Sequence, residues 1–369
     1  MKVLHVEAGM YLYGGARQVA YLLRGLSQHG VETVLVCPRG SAIAHEMQGW
    51  SGRVHEIPMR GDLDLGLIWR LRRILQQERP DIVHLHSRRG ADLLGGIVAR
   101  AAGVKTVLTR RVDNPESLFM TRWKYRLYDR VITISEGIRQ VLLAEGVDPE
   151  LLVCVRSAVS PDGYQATCNS GWFRQTFGLA ANETVLAVIA QLIPRKGHRI
   201  LLQALPGLFK VFPEMRVIFF GQGPLEDKLK RQVRDAGLGG RVMFAGFRAD
   251  LPQILPCLDL VVHPALMEGL GISLLQAAGA GVPIVAVNAG GMPEVVRDGV
   301  NGLLVPPGDS VALADAIRRL LSDRPLMKRM GQAGRELVTR EFSIDRMVKG
   351  NLQVYRDLCA PDGQGLLSR

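Results

Sequence analysis

Acidic residues are in short supply: 35 Asp and Glu stand against 46 Lys and Arg, leaving a formal charge of +11. That imbalance points away from a cationic partner and toward an anionic one, such as a phosphorylated glycan, an acidic membrane surface or nucleic acid. Cysteine is scarce too. The five residues Cys37, Cys154, Cys168, Cys257 and Cys359 form no C-x-x-C pair, which argues against structural zinc and against a disulfide framework. Long apolar runs are missing, because Asp259 and Glu268 interrupt the longest candidate before it reaches a membrane-spanning length. The one apolar run of the N-terminus contains His5 and Glu7, which denies it a signal-peptide core, and the cytoplasm is the expected compartment. A short-period repeat, a low-complexity tract and the G-x-G-x-x-G spacing of a dinucleotide site are also absent.

What remains is a folded α/β chain. Hydrophobic residues make up 47% and charged residues 22%, a globular balance, and 369 residues exceed one ordinary core, so two domains are expected. The first half alternates strands (Val3 to Val6, Thr33 to Val36, Ile82 to Leu85, Thr106 to Leu108) with helices from about Gly15 to Gln28 and Leu67 to Gln77. The second half repeats this with strands at Val185 to Ala190, Val217 to Phe220, Val242 to Phe244, Leu260 to Val262, Ile284 to Val287 and Gly302 to Val305. Such alternation specifies two tandem, Rossmann-like, doubly wound parallel sheets. Ser160 to Gly171 is the best linker candidate, and Phe342 to Cys359 reads as an amphipathic helix followed by a frayed tail.

The densest chemistry lies between Leu258 and Glu294. A strand breaks at Pro264, a turn presents Glu268 followed by Gly269, Leu270, Gly271 and Ile272, an apolar helix follows, and a second strand ends in Ala289-Gly290-Gly291. Units of this kind place backbone N–H groups and helix N-termini at the carboxyl edge of a parallel sheet, where anions bind. A carboxylate among those donors is costly unless it grips hydroxyls of the same ligand, so a sugar attached to a phosphate is the natural occupant.

These residues resemble the signature of the retaining glycosyltransferases of family 4, which have the GT-B fold. In that family a Glu, the glycine turn and a second Glu eight positions on hold a nucleotide-sugar; here the first is Glu268 and the second position is Gln276. Lys196-Gly197 resembles the family's phosphate-binding segment, whose Arg is replaced by Gln191, with Arg195 next to the lysine. Gly14-Gly15 is similar to the N-terminal glycine loop, and the segment ending in Phe247 to the one that reads the nucleobase edge. The resemblance implies an acceptor-side domain over 1-165, a nucleotide-sugar domain over 166-341, and a C-terminal helix over 342-369 returning to the first domain. It further implies sugar transfer from a nucleoside diphosphate sugar, with retention, to a glycan or lipid-linked acceptor of envelope polysaccharide or lipopolysaccharide synthesis. Glu268 would hold donor hydroxyls, Lys196 and Arg195 would stabilise the departing diphosphate, and Gly15 with the 269–272 turn would donate N–H bonds. No metal or cofactor is expected, since side-chain cations can neutralise the leaving group.

Other features have two readings. Arg110 and Arg111, at the end of a first-domain strand, suit a phosphorylated or carboxylated acceptor, or else pair with Asp113 and Glu116. Asp62 and Asp64 read as helix N-caps rather than metal ligands. His84 and His86 share a strand face but lack a third ligand at helical spacing, and read as structural or acceptor-side residues. The stretch Leu118 to Arg130 interleaves aromatics with cations, fitting either attachment to an anionic membrane or ordinary packing. Two rival functions stand beside the transferase: a sugar-nucleotide epimerase of the same fold, for which the sequence shows no acid/base pair, and a non-catalytic nucleotide- or nucleic-acid-binding protein, motivated by Gln191 and Gln276. Nucleic acid is otherwise not an expected partner.

Overall fold

The computed structural model describes residues 1–86, 90–116, 121, 123–164 and 166–360. It divides into two compact units, one formed by Met1–Ala158 with the chain from Ile344 onward, the other by Val159–Ser343.

The first unit is built on strands β1 (Lys2–Val6), β2 (Glu32–Pro38), β3 (Arg53–Ile57), β4 (Ile82–Leu85), β5 (Lys105–Arg110), β6 (Arg130–Thr133) and β7 (Leu152–Cys154). They form one sheet in the order β3-β2-β1-β4-β5-β6-β7, every pair parallel. The strand β3 escapes a hydrophobic reading because it is an edge strand carrying Arg53, His55 and Glu56. Apolar layers cover both faces. One gathers Leu67, Leu71, Ile74 and Leu75 of the helix Gly66–Glu78 with Leu4, Val34 and Val83. The other gathers Met347, Val348, Leu352 and Tyr355 of the C-terminal helix Ile344–Cys359 with Val3, Leu22 and Ile82.

The second unit holds β8 (Thr184–Ile189), β9 (Met215–Phe220), β10 (Val242–Gly246), β11 (Leu260–His263), β12 (Ile284–Val287) and β13 (Gly302–Val305). Their order is β10-β9-β8-β11-β12-β13, again wholly parallel. The central strand β11 is buried throughout, as expected of a strand covered on both faces. Both orders reverse direction beside the first strand, leaving a ligand crevice outside the carboxyl ends of β1 and β4 and of β8 and β11.

Three expectations change. Cys168 and Cys257 form a disulfide across 89 residues; no short spacing announces it, because the fold and not the local chain brings the two together. Neither Asp62 nor Asp64 caps the helix Gly66–Glu78, whose N-cap is Leu65; Asp64 instead accepts the Arg60 N–H at 2.9 Å and pairs with Arg70 at 2.5 Å. In the stretch 118–130, Leu118, Phe119 and Arg122 lie outside the described residues, and Lys124, Tyr125 and Tyr128 are buried. Trp123 and Arg126 of the same stretch are exposed, so its described part is divided between packing and solvent. Residues after Pro361 also lie outside the described residues.

Candidate functional site

In the second unit the site grows from the end of β11. His263 is its last residue, Pro264 stops the ladder, and the loop that follows carries Glu268 before the helix Ile272–Gly279 begins at Gly271. No side chain caps this helix, so its first-turn N–H groups remain available to an oxyanion. The short turn Pro194–Lys196 after β8 is locked onto the same loop. Leu266 N–H donates to the Arg195 carbonyl at 2.8 Å, and a Cβ on Gly197 would stand 1.8 Å from the Pro264 carbonyl oxygen, so only glycine permits the approach. Gly291 backs the loop from the other side, its N–H donating to the Glu268 carbonyl at 3.0 Å.

This scaffolding brings three side chains to one point. Lys196 and His263 both donate to Glu268 Oε2, His263 Nε2 at 2.9 Å. Burial alone would raise the carboxyl, but the His263 hydrogen bond and the charges of His263 and Lys196 outweigh it and hold Glu268 far below its ordinary value. The carboxylate is therefore ionised at any working pH. Beside it His198 is buried with neither ring nitrogen bonded, and burial first, then the charges of His263 and Lys196, lower its pKa to about 4. Gln276, the position with a Glu in the resembled family, donates through Nε2 to the Tyr164 hydroxyl at 2.6 Å. Phe247 is exposed, Gln191 is exposed and Arg195 is half-buried. Lys196 and Glu268 are thus one ion pair rather than two separate contacts, and the sequence reading missed His263, His198 and Tyr164. A histidine immediately before the strand-ending Pro264 was the one local signal for the first of these.

The first unit carries a cavity of about 360 Å³ lined by Glu7, Tyr11, Tyr13, Gly15, His86 and Arg111, among others. Gly14 opens the helix Gly14–Gln28, which has no side-chain cap and no acid in its first turn. Arg110 is committed: it pairs with Glu116 at 2.6 Å and donates to the Asn114 carbonyl at 2.5 Å. Arg111 faces His86 at 3.4 Å, and burial lowers its pKa to about 10 against the opposing effect of Glu7. Behind it the fold supplies the third imidazole that spacing along β4 could not show, because it comes from β1. The ring nitrogens of His5, His84 and His86 lie within 4.8 Å of one another and form the group able to hold a metal among the described residues. Five of their six ring nitrogens are engaged, His5 Nε2 alone being buried without a hydrogen-bond partner. His5 and His86 share a hydrogen bond of 2.9 Å, and His84 meets the Tyr355 hydroxyl at 2.5 Å and Thr109 at 2.6 Å. Burial drives His5 down to about 3 and His84 and His86 well below their usual value, with the Arg111 charge adding to the shift at the last two. A dication beside that guanidinium would be opposed, and the cluster reads as a neutral hydrogen-bond network.

Comparison with known proteins gives a consistent picture. Residues 172–337 match the family model described as "Glycosyl transferases group 1", and residues 13–157 match the "Glycosyl transferase 4-like domain". The chain is 27% identical over 358 residues to the lipopolysaccharide core biosynthesis glycosyltransferase LpsE of Rhizobium meliloti (strain 1021), covering 96% of this chain and 98% of that protein. It is 25% identical to the UDP-Gal:alpha-D-GlcNAc-diphosphoundecaprenol alpha-1,3-galactosyltransferase of Escherichia coli, over 80% of each. A glycosyltransferase structure from Rickettsia africae ESF-5 superposes with a TM-score of 0.86 at 19% identity, covering 97% of this chain and 98% of the other. Anabaena Alr3699/HepE, solved with UDP-glucose, gives 0.84 at 23%, covering 96% and 99%.

Proposed function

This chain belongs to the GT-B glycosyltransferases of the family-4 type, and from that premise we propose that it moves a sugar from a nucleoside diphosphate sugar, with retention of configuration, to a glycan or lipid-linked acceptor in envelope polysaccharide or lipopolysaccharide synthesis. The observation that carries the reading is the permanently ionised Glu268, held by Lys196 and His263 at the uncapped start of the helix Ile272–Gly279.

A fixed carboxylate beside uncapped N–H groups suits a ligand with hydroxyls on one side and oxyanions on the other. Glu268 accepts hydrogen bonds from the donor sugar and favours the positive charge that develops as the glycosidic bond to the leaving group breaks. Lys196 and Arg195 neutralise the departing diphosphate, helped by the N–H groups of Gly269, Leu270, Gly271 and Ile272. Side-chain cations suffice for this, so transfer proceeds without a metal. The acceptor attacks from the face the diphosphate leaves, so no enzymic nucleophile is required. Gln276, steadied by Tyr164, receives the ribose, and the segment at Phe247 meets the base. Gly14 and Gly15 offer N–H groups to a substrate oxygen. In the first unit Arg111 rather than Arg110 engages an anionic group of the acceptor, because Arg110 is already paired with Glu116. Synthesis of such an acceptor at an anionic cytoplasmic membrane face agrees with the charge of +11.

A thermal-shift panel of UDP-, GDP- and ADP-sugars with and without chelator tests the donor half. A ligand at a hundred times its dissociation constant stabilises by about 2.7 kcal/mol, so a donor registers clearly, and a shift that vanishes with chelator overturns the metal-free account. Lys196→Ala should weaken turnover by roughly 2 to 4 kcal/mol. Conversion of the donor with no acceptor present would favour an epimerase instead.

A further inference from the structure

The outward face of the helix Gly66–Glu78 carries the wrong residues for water. Its inner face is regular: Leu67, Leu71, Ile74 and Leu75 pack into the first unit's core. At about 100° per residue the opposite face runs through Leu65, Trp69, Arg72 and Gln76, where a surface helix should be polar. Leu65 is 67% exposed and Trp69 73%, and Leu63 in the preceding turn is 92% exposed. Three large apolar side chains thus project together from one turn.

The turn is held stiffly. Asp64 accepts the Arg60 N–H and pairs with Arg70, while Leu65 N–H donates to the Leu63 carbonyl at 2.9 Å. Asp64 is thereby neutralised, which leaves Asp62 as the exposed acid between residues 59 and 73, against the exposed cations Arg60, Arg72 and Arg73.

We propose that Leu63, Leu65 and Trp69, flanked by Arg60, Arg72 and Arg73, form a docking face for an anionic lipid bilayer. Guanidinium groups draw the face to acidic headgroups, the leucines enter the acyl boundary, and the indole sits where its ring is apolar and its N–H is wet. Side chains as exposed as these match a fluid surface, which needs no complementary pocket. A protein partner would have to supply one, since the energetically dominant anchors of protein interfaces are seated in well-packed pockets. The face is separate from the stretch after Leu118, where Lys124 turns inward to Asp92 at 2.6 Å while Arg126 is exposed. None of this depends on the transferase reading.

The test is co-sedimentation of the full chain with vesicles of pure phosphatidylcholine and of phosphatidylcholine with about a third phosphatidylglycerol, at low and at physiological salt. Binding is expected only to the anionic vesicles and should weaken with salt. The double variant Leu63→Ser, Trp69→Ala should lower the partition coefficient about tenfold or more. Arg72→Glu with Arg73→Glu should abolish binding at physiological salt, whereas Arg126→Glu, an exposed cation elsewhere in the unit, should change it less than twofold. All these side chains are exposed, so the melting temperature should hold, and a variant that melts early is replaced by Trp69→Gln alone. Equal binding by wild type and the Trp69 variants, or no binding to the anionic vesicles, overturns the proposal. So does concentration-dependent dimerisation that the Trp69 variants lose, which would give the face to a second copy of the chain.

Discussion

The two units use the same all-parallel sheet and treat the carboxyl edge of its central strands in opposite ways. In the first, β1 and β4 lead to His5, His84 and His86, three imidazoles that burial keeps uncharged, with His5 bonded to His86 and His84 bonded to Tyr355 and Thr109. In the second, β8 and β11 end beside Lys196, His263 and Glu268, where charges are concentrated and mutual attraction overrides burial. The lesson concerns partners rather than depth: a buried group stays charged only where an opposite charge is within bonding distance. The second edge therefore offers an ionised carboxylate within an ion pair, while the first sets the Arg111 guanidinium beside neutral imidazoles.

The largest expected effect removes the charged edge. Glu268→Ala should reduce transfer by at least about a hundredfold while sparing most nucleoside diphosphate affinity, and should destabilise the second unit because Lys196 is left buried without its partner. Turnover within a few-fold of wild type would take the carboxylate out of the mechanism.

Next comes the disulfide, a device shown for the second unit. Cys168→Ser should cost up to roughly 4 to 5 kcal/mol given the sequence separation of 89 between the two cysteines, with hydrogen exchange accelerating in residues 159–343 and not in 1–158. Acceleration spread equally over both units would show that they do not open separately.

The neutral edge should fail in acid. The folded pKa of His5 lies below its unfolded value of 6.5, so the unfolded chain binds the proton first and stability falls as pH drops from about 6.5 toward 3. At pH 5 His5 alone should cost the first unit about 2 kcal/mol, and His84 and His86 act in the same direction. His198, lowered to about 4, does the same more weakly in the second unit. Glu268 is lowered too, but from the lower ordinary value of a carboxylate and by its cationic partners, so it costs stability only as pH falls below the ordinary carboxylate range. Exchange measured at pH 7 and pH 5 should show the first unit loosening first, and the reverse order would break the comparison.

The smallest effect sharpens it. Gln276→Glu places a second acid near the charged edge, where both carboxylate oxygens can accept ribose hydroxyls, whereas the amide offers one acceptor and spends its donor on Tyr164. Donor affinity should stay level or tighten by up to about tenfold, a 1.4 kcal/mol effect. A large loss would mean that Gln276 reads something other than ribose.

Much of this was legible along the chain. Strands such as Val185 to Ala190 and Ile284 to Val287 stand out because parallel strands buried on both faces are continuous apolar runs, and edge strands such as Arg53–Ile57 hide because half their surface meets water. Glu268 and Lys196 stand out because each adjoins a glycine turn after a buried strand. The alternation of elements, the two sheets and the loops bearing the chemistry depend on residues a few positions apart, so the linear order specifies them. Partnership does not. That Lys196 meets Glu268 across 72 residues, Cys168 meets Cys257 across 89, and His84 meets Tyr355 across 271 was decided by strand order and helix packing. The same holds for the membrane-facing reading of the stretch after Leu118, since whether a lysine among aromatics meets solvent or a buried Asp92 depends on what folds over it. Charge state follows in turn, because desolvation and Coulomb attraction act through space and only the folded chain sets those distances.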